Sequence, residues 1–123
     1  LAPLFFALFL LSSGVSSDSG CFWLGRSPVC LPHECPEGTT EIARSGKTRT
    51  TFAYFGRGCT VYTRKRLCCK NSMVRADPNK HCRVCLNCEK GKCPRGETFL
   101  FKQDIEWGIT DSFCCDDGTL VFN

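Results

Sequence analysis

Two pairs of adjacent cysteines, Cys68-Cys69 and Cys114-Cys115, constrain this chain more than any other feature of its sequence. Neighbouring Cα atoms lie about 3.8 Å apart, whereas a relaxed disulfide holds its two Cα atoms about 4.4–6.8 Å apart. A bond between adjacent cysteines would therefore be strained. Because successive side chains of a strand point to opposite faces, we expect each pair to tie one strand to two different segments.

Disulfides require an oxidising compartment, and the start of the chain indicates one. Residues Leu1–Leu11 are apolar and uncharged, and small residues follow them. This pattern is typical of a secretory signal peptide, so we predict a signal peptide over residues 1–17. Cleavage after Gly14 or Ser16 fits almost as well, and the alternative is an amphiphilic or buried N-terminal helix. The apolar run is too short to span a bilayer, so we expect a secreted, extracellular protein without a transmembrane segment.

Cysteine content indicates what holds the exported chain together. The sequence has 12 cysteines in 123 residues, which is typical of a short secreted disulfide scaffold. The even number allows every sulfur to be paired. A chain of this length that divides into two units has too little hydrophobic core in each to stabilise it alone. Each disulfide adds stability on the order of 2–4 kcal/mol.

The cysteines repeat along the chain. Cys35 begins CPEGTT and Cys93 begins CPRGET, and each motif leads through Thr-rich, aromatic sequence to an adjacent pair. This predicts a tandem duplication with module 1 over residues 18–70, a linker over 71–81 and module 2 over 82–123. The two sets of six are Cys21, Cys30, Cys35, Cys59, Cys68 and Cys69, and Cys82, Cys85, Cys88, Cys93, Cys114 and Cys115.

The two sets differ in one bridge. The second unit has no counterpart of Cys59, and it has both Cys82 and Cys85 where the first unit has only Cys21. One bridge must therefore be rearranged between the units. We still expect each unit to close on its own six sulfurs, without a free thiol.

Strand-forming residues predict a mainly β structure. Thr48–Gly56 and Cys59–Cys69 flank a glycine turn and predict a hairpin. Glu97–Gln103 and Ile109–Cys115 predict a second hairpin, and Thr119–Asn123 predicts a further strand after an Asp-Asp-Gly turn. The predicted fold class is a small, disulfide-rich, mainly β protein of two tandem cysteine-knotted hairpin modules.

The opening of the first unit, CFWLGRSPVC, has the order C-x-W-x-G-x-x-P-x-C and precedes C-P-x-G and a late LCC. It resembles a small cysteine-rich module of secreted animal proteins whose roles are mostly unassigned. The resemblance covers Cys21–Lys70 and implies a compact β module without implying an activity. The second unit lacks the Trp-Gly-Pro opening. We expect Trp23 to shield a disulfide.

The cysteine order of the first unit also resembles that of the β-defensins. This resemblance implies the bridges Cys21–Cys68, Cys30–Cys59 and Cys35–Cys69. The 23 residues between Cys35 and Cys59 are far more than that family places there. Six cysteines allow many other connectivities, so these stay open.

Charge is unevenly distributed between the units. Residues 21–70 contain nine Lys or Arg against three Asp or Glu, whereas residues 71–123 contain seven against eight. The basic residues near the first predicted hairpin form a candidate surface for an anionic partner, although a solvated strand face is the simpler alternative. They are Lys47, Arg49, Arg57, Arg64, Lys65, Arg66 and Lys70.

Metal and catalytic chemistry have little support. HCRVCLNCEKGKC, residues 81–93, has spacing that would suit zinc in a cytosolic protein, but the export signal favours disulfides. Asp111, Asp116 and Asp117 form no EF-hand pattern. We find no catalytic motif around His33 or His81. We therefore expect no cofactor and no enzymatic activity.

Three functional hypotheses follow from these features. The first is a secreted, non-enzymatic protein with a structural or binding role in the extracellular matrix, whose partner is an extracellular protein, glycan or matrix polymer. The second is a cationic host-defence protein. The third is a protease inhibitor or toxin, with Arg57 as its contact residue. Nucleic acid is a poor match for an exported protein.

Overall fold

A computed structural model describes residues 20–50, 52–60, 62–86, 88–89, 91–104 and 110–122. The predicted signal peptide over residues 1–17 lies outside them. The strands within the described residues are β1 (Cys21–Leu24), β2 (Thr39–Ser45), β3 (Thr48–Arg49), β4 (Lys65–Lys70), β5 (Cys82–Cys85), β6 (Glu97–Asp104) and β7 (Thr110–Asp116). A 3-10 helix (Asn71–Met73) and a single-turn helix α1 (Pro78–His81) join β4 to β5.

The strands form two antiparallel sheets. The first has three strands in the order β1-β4-β2, and the second has four in the order β3-β6-β7-β5. In each sheet the strand with the adjacent cysteines lies between two neighbours. The structure thus confirms a small, disulfide-rich, mainly β protein of two modules.

The adjacent cysteines of β4 bond on opposite faces of the strand, as predicted. Cys69 lies directly opposite Cys21 of β1 in the strand register and bonds to it across a Cα–Cα distance of 4.0 Å. Cys68 bonds to Cys35, which precedes β2, across 5.7 Å. One strand is therefore tied to both of its flanking segments.

The pairing differs from the one that the β-defensin resemblance implies. The Cys30–Cys59 bridge is the same, but Cys68 and Cys69 exchange partners. The strand register explains the exchange, because Cys21 faces Cys69 across the antiparallel pair.

The second unit repeats this arrangement on β7. Cys115 lies opposite Cys82 of β5 and bonds to it across a Cα–Cα distance of 3.9 Å, and Cys114 bonds to Cys93 across 5.9 Å. The rearranged bridge is the local Cys85–Cys88 pair. No cysteine is free, and each unit closes on its own six sulfurs as predicted.

Turn geometry also repeats at the C-P-x-G motifs. Gly38 and Gly96 have φ values of 91° and 90°, a left-handed conformation that favours glycine. The N–H groups of the following residues, Thr39 and Glu97, donate to the proline carbonyl of the same turn, at 3.0 and 3.1 Å. The sequence repeat is therefore a structural repeat.

Two contacts join residues that are equivalent in the repeat. Val74 and Leu120, each five residues after its adjacent cysteine pair, form an isolated antiparallel bridge. Ser45 and Gln103, each ten residues after the cysteine of its C-P-x-G motif, contact through their side chains at 3.4 Å. Contacts between equivalent residues are expected where two halves are related by an approximate two-fold axis.

The segment predicted as a linker, residues 71–81, is ordered by its own contacts. Met73 of the 3-10 helix is buried in the core cluster. Asp77 caps α1, since its side chain accepts a hydrogen bond from the N–H of Asn79 at 3.0 Å. The segment therefore packs against the units that it connects.

One predicted hairpin is correct and one is wrong. Strands β6 and β7 pair antiparallel as predicted. In the first unit, however, β4 pairs with β2 and β1. The described residues of Thr48–Gly56 and Cys59–Cys69 do not pair as a hairpin. The N–H of Cys59 instead donates to the carbonyl of Gly46, and that of Thr60 donates to the carbonyl of Pro28. At the C-terminal end, Leu120 contributes an isolated bridge in place of the predicted strand.

Both units contribute to one core. Trp23 of β1 contacts the ring of Phe55 at 4.9 Å and the ring of Phe101 at 5.3 Å between centroids. Phe101 in turn stacks on Phe113 at 4.9 Å. Trp23 belongs to the same buried cluster as Cys21 and its bridge partner. The aromatic residues therefore join the two disulfide-tied units into one packed structure.

Replacing Phe101 with Ala tests this shared core. The ring is fully buried, and its loss should lower the free energy of unfolding by about 3–5 kcal/mol. Because Phe101 contacts Trp23, hydrogen exchange at the β4 amides should also accelerate. Denaturant titration and exchange measurements check both effects. Leu86→Ala, at a side chain that is 65% exposed, is the matched control and should cost less than about 0.5 kcal/mol. Unchanged exchange in β4 would show that the cores are independent.

Two double variants test the bridge pattern. Replacing Cys35 and Cys68 with Ala removes one whole bridge, so the protein should remain a single disulfide isomer and lose about 2–4 kcal/mol of stability. Replacing Cys21 and Cys68 breaks two bridges and should give mixed isomers or free thiols. Peptide mapping of the non-reduced proteins distinguishes the outcomes. The reverse result would support the pairing implied by the β-defensin resemblance.

Candidate functional site

A basic cleft of about 320 Å³ lies beside the Cys30–Cys59 bridge in the first unit. Three arginines line it, together with apolar side chains and Cys30 itself. The arginines are Arg44, Arg64 and Arg66.

Strand pairing brings these arginines together. Arg44 of β2 lies directly opposite Arg66 of β4 in the register. Arg64 precedes β4 by one residue and shares the face of Arg66 through strand alternation. The cleft therefore combines one cation from β2 with two from the β4 segment.

Glu41 partly neutralises the arginines. Its carboxylate accepts from Arg44 Nε at 2.6 Å, and its other oxygen lies 3.6 Å from Arg66 Nη1. The hydrogen bond to Glu41, followed by the charge of that carboxylate, raises the pKa of Arg44 above its ordinary value. No ion pair of Arg64 occurs among the described residues. The three arginines and Glu41 together carry a formal charge of +2, so the cleft is positive overall.

Apolar side chains stand exposed at the rim of the cleft. Tyr62 is 99% exposed and Leu31 is 75% exposed. Tyr62 also has a positive φ of 69°, which is uncommon for a bulky residue. An exposed aromatic ring beside arginines provides a surface for a ligand that has both charged and apolar parts.

The structure separates the other basic residues of the predicted surface from this cleft. Lys47, Arg57 and Lys70 are exposed but do not line it. The side chain of Arg49 lies outside the described residues. Of the predicted residues whose side chains the structure describes, Arg64 and Arg66 line the cleft.

Lys65 lies inside the protein. It is only 6% exposed, its Nζ donates to the carbonyl of Phe55, and the same nitrogen lies 4.5 Å from the centroid of the Phe55 ring. Burial lowers the pKa of Lys65 below its ordinary value. Its ammonium group therefore interacts with Phe55 inside the protein and is not part of an external binding surface.

Arg57 lies in an exposed loop that is fixed to the rest of the protein on both sides. Phe55 is buried before it, and Cys59 is bonded to Cys30 after it. Ser27 Oγ also donates to the carbonyl of Gly58 at 2.6 Å.

The cysteines of the zinc alternative, between residues 81 and 93, are all in disulfides. Asp116 lies 3.0 Å from His81 Nδ1, and Asp117 accepts a hydrogen bond from Thr98. Asp111 is buried. Among the described residues, no three His, Cys, Asp or Glu side chains are placed to hold a metal ion.

Arg44 is the cleft arginine that the sequence analysis missed. The repeat contains a signal that identifies it, because Thr39–Ser45 follows Cys35 as Glu97–Gln103 follows Cys93. The second of these segments was predicted as a strand. Applying the same prediction to the first segment would have placed Arg44 on a strand.

Comparison with protein-family models, with curated proteins and with solved structures finds no match. Among the residues that the structure describes, no helix has the length and apolar character needed to cross a membrane.

Replacing Lys65 with Met tests the buried ammonium. The lowered pKa means that the unfolded chain binds more protons than the folded protein between the folded value and about 10.5. The free energy of unfolding should therefore rise as pH increases through this window. Lys65→Met should reduce that rise, whereas Lys70→Met, at an exposed position on the same strand, should preserve it. Denaturant midpoints at about pH 8 and about pH 10 provide the measurement. Equal slopes in the wild type and in Lys65→Met would contradict the assignment.

Proposed function

We propose that this protein is secreted and binds sulfated glycans of the extracellular matrix through the basic cleft. The observation that carries the proposal is the convergence of Arg44, Arg64 and Arg66 on one concave surface beside exposed Tyr62. Sulfated glycans are one ligand class within the matrix-binding role expected from the sequence.

The chemistry of the cleft supports this ligand class. Guanidinium groups form forked, charge-assisted hydrogen bonds to planar or tetrahedral oxyanions. The rim residues Tyr62 and Leu31 offer apolar edges on which a sugar ring can pack. A sulfated sugar presents both chemistries in one repeating unit.

The rigidity of the cleft supports it further. Cys30 lines the cleft and is bonded to Cys59, while Arg44 and Arg66 lie on paired strands. A site that is held in place before binding loses less conformational entropy when the ligand arrives.

The disulfides support an extracellular location. Six bridges use all 12 cysteines, and such a pattern persists mainly in oxidising compartments. The apolar N-terminal sequence, which resembles a signal peptide, provides an export route.

Charge reversal at Arg64 tests the cleft. Arg64→Glu should weaken heparin binding about tenfold at physiological salt, because loss of one favourable charge and gain of a repulsive one removes on the order of 1–2 kcal/mol. Arg95→Glu makes the same change at an exposed position of the second unit and should have little effect. Glu41→Gln should tighten binding by leaving the arginines less neutralised. Calorimetric titration at two salt concentrations provides the measurement.

Two results would overturn the proposal. The first is failure of the wild-type protein to bind heparin at physiological salt. The second is equal weakening of binding by Arg64→Glu and Arg95→Glu, which would indicate diffuse attraction. Leakage from anionic vesicles without heparin binding would instead favour the host-defence hypothesis.

A further inference from the structure

An apolar groove of about 630 Å³ lies where the two units meet. Its floor and walls come from β6, from the segment after β3 and from the C-terminal segment. The residues that give it its character are Phe52, Phe99, Leu100, Lys102 and Phe122. Its volume is within the range of about 300–1,000 Å³ that small-molecule sites occupy.

Three phenylalanine rings line the groove. Phe52 and Phe122 lie 5.3 Å apart between ring centroids, and Phe99 presents its ring from β6 while remaining 37% exposed. Leu100 beneath them is buried in the core cluster. The groove is therefore an apolar surface backed by the packed core.

Lys102 contributes a cation to this apolar groove. No ion pair of its ammonium group occurs among the described residues. The backbone of Lys102 is anchored in the sheet. Its carbonyl accepts a hydrogen bond from Thr48 Oγ1 at 2.6 Å, and Lys102 pairs with Arg49 of β3. A single cation beside a long apolar wall is complementary to a ligand with one anionic end and an apolar body.

We propose that this groove binds a long-chain carboxylate, with the apolar chain along the phenylalanines and the carboxylate at Lys102. The ligand chain replaces water on Phe52, Phe99 and Phe122, and the hydrophobic effect drives its entry. The Lys102 ammonium fixes the orientation of the ligand. This site is separate from the basic cleft and does not depend on the glycan proposal.

Dodecanoate and dodecanol, both below the concentration at which dodecanoate forms micelles, are the probes. Dodecanoate should bind the wild-type protein at one molecule per chain. Lys102→Met should weaken dodecanoate binding about fivefold to tenfold, as expected for a partly exposed charge pair, and should leave dodecanol binding unchanged. Lys80→Met is the matched control, because Lys80 is exposed and does not line the groove, and it should change neither affinity.

A second variant separates the apolar wall from the cation. Phe99→Ser should weaken dodecanoate and dodecanol alike, by about tenfold, because it removes a half-exposed ring without disturbing the buried core. Calorimetry gives the affinities, and chemical-shift changes at the β6 amides locate the ligand.

Three results would overturn the proposal. The first is the absence of dodecanoate binding to the wild-type protein. The second is equal loss of dodecanoate and dodecanol binding in Lys102→Met. The third is adsorption to anionic phospholipid vesicles without binding of monomeric dodecanoate, which would make the groove a membrane-contact surface. None of these results bears on heparin binding at the basic cleft.

Discussion

The structure depends on a central strand that is bonded through both of its faces. On β4, Cys69 bonds toward the shared core and Cys68 bonds away from it, and β7 repeats the arrangement with Cys115 and Cys114. A slip of one residue in either strand would turn each sulfur to the wrong face. The adjacent cysteines therefore fix the strand register, and the register determines which residues enter the core and which line the surface clefts.

The cysteine pattern predicted the covalent framework better than composition predicted the strands. It correctly indicated bonding from both faces, closure within each unit and one rearranged bridge. The Thr-rich, aromatic segment around Phe55 was wrongly assigned to a hairpin, since its aromatic side chain packs into the core from an irregular segment. The strand propensity of a residue largely measures how well its side chain packs on a half-buried surface. A side chain in an irregular segment can pack equally well, so propensity does not distinguish the two cases.

The candidate cleft could be predicted only in part. Strand alternation separates Lys65 from Arg64 and Arg66, and Lys65 lies on the face that is buried. Arg44 could not be placed by alternation, because its position opposite Arg66 depends on which strands pair. Pairing between distant segments is set by the disulfides and the core. Neither the basic cleft nor the apolar groove is visible in a single segment of sequence.

The repeat allows equivalent positions of the two halves to carry different side chains. Arg44 and Lys102 occupy the same place in the two halves, as do Glu41 and Phe99. A symmetric homodimer receives every substitution twice, once in each subunit. In a single polypeptide the two positions are encoded separately, so Glu41 can lie beside Arg44 in one half while Phe99 takes the equivalent place in the other. One repeated framework thus presents two chemically different surfaces, a basic cleft and an apolar groove.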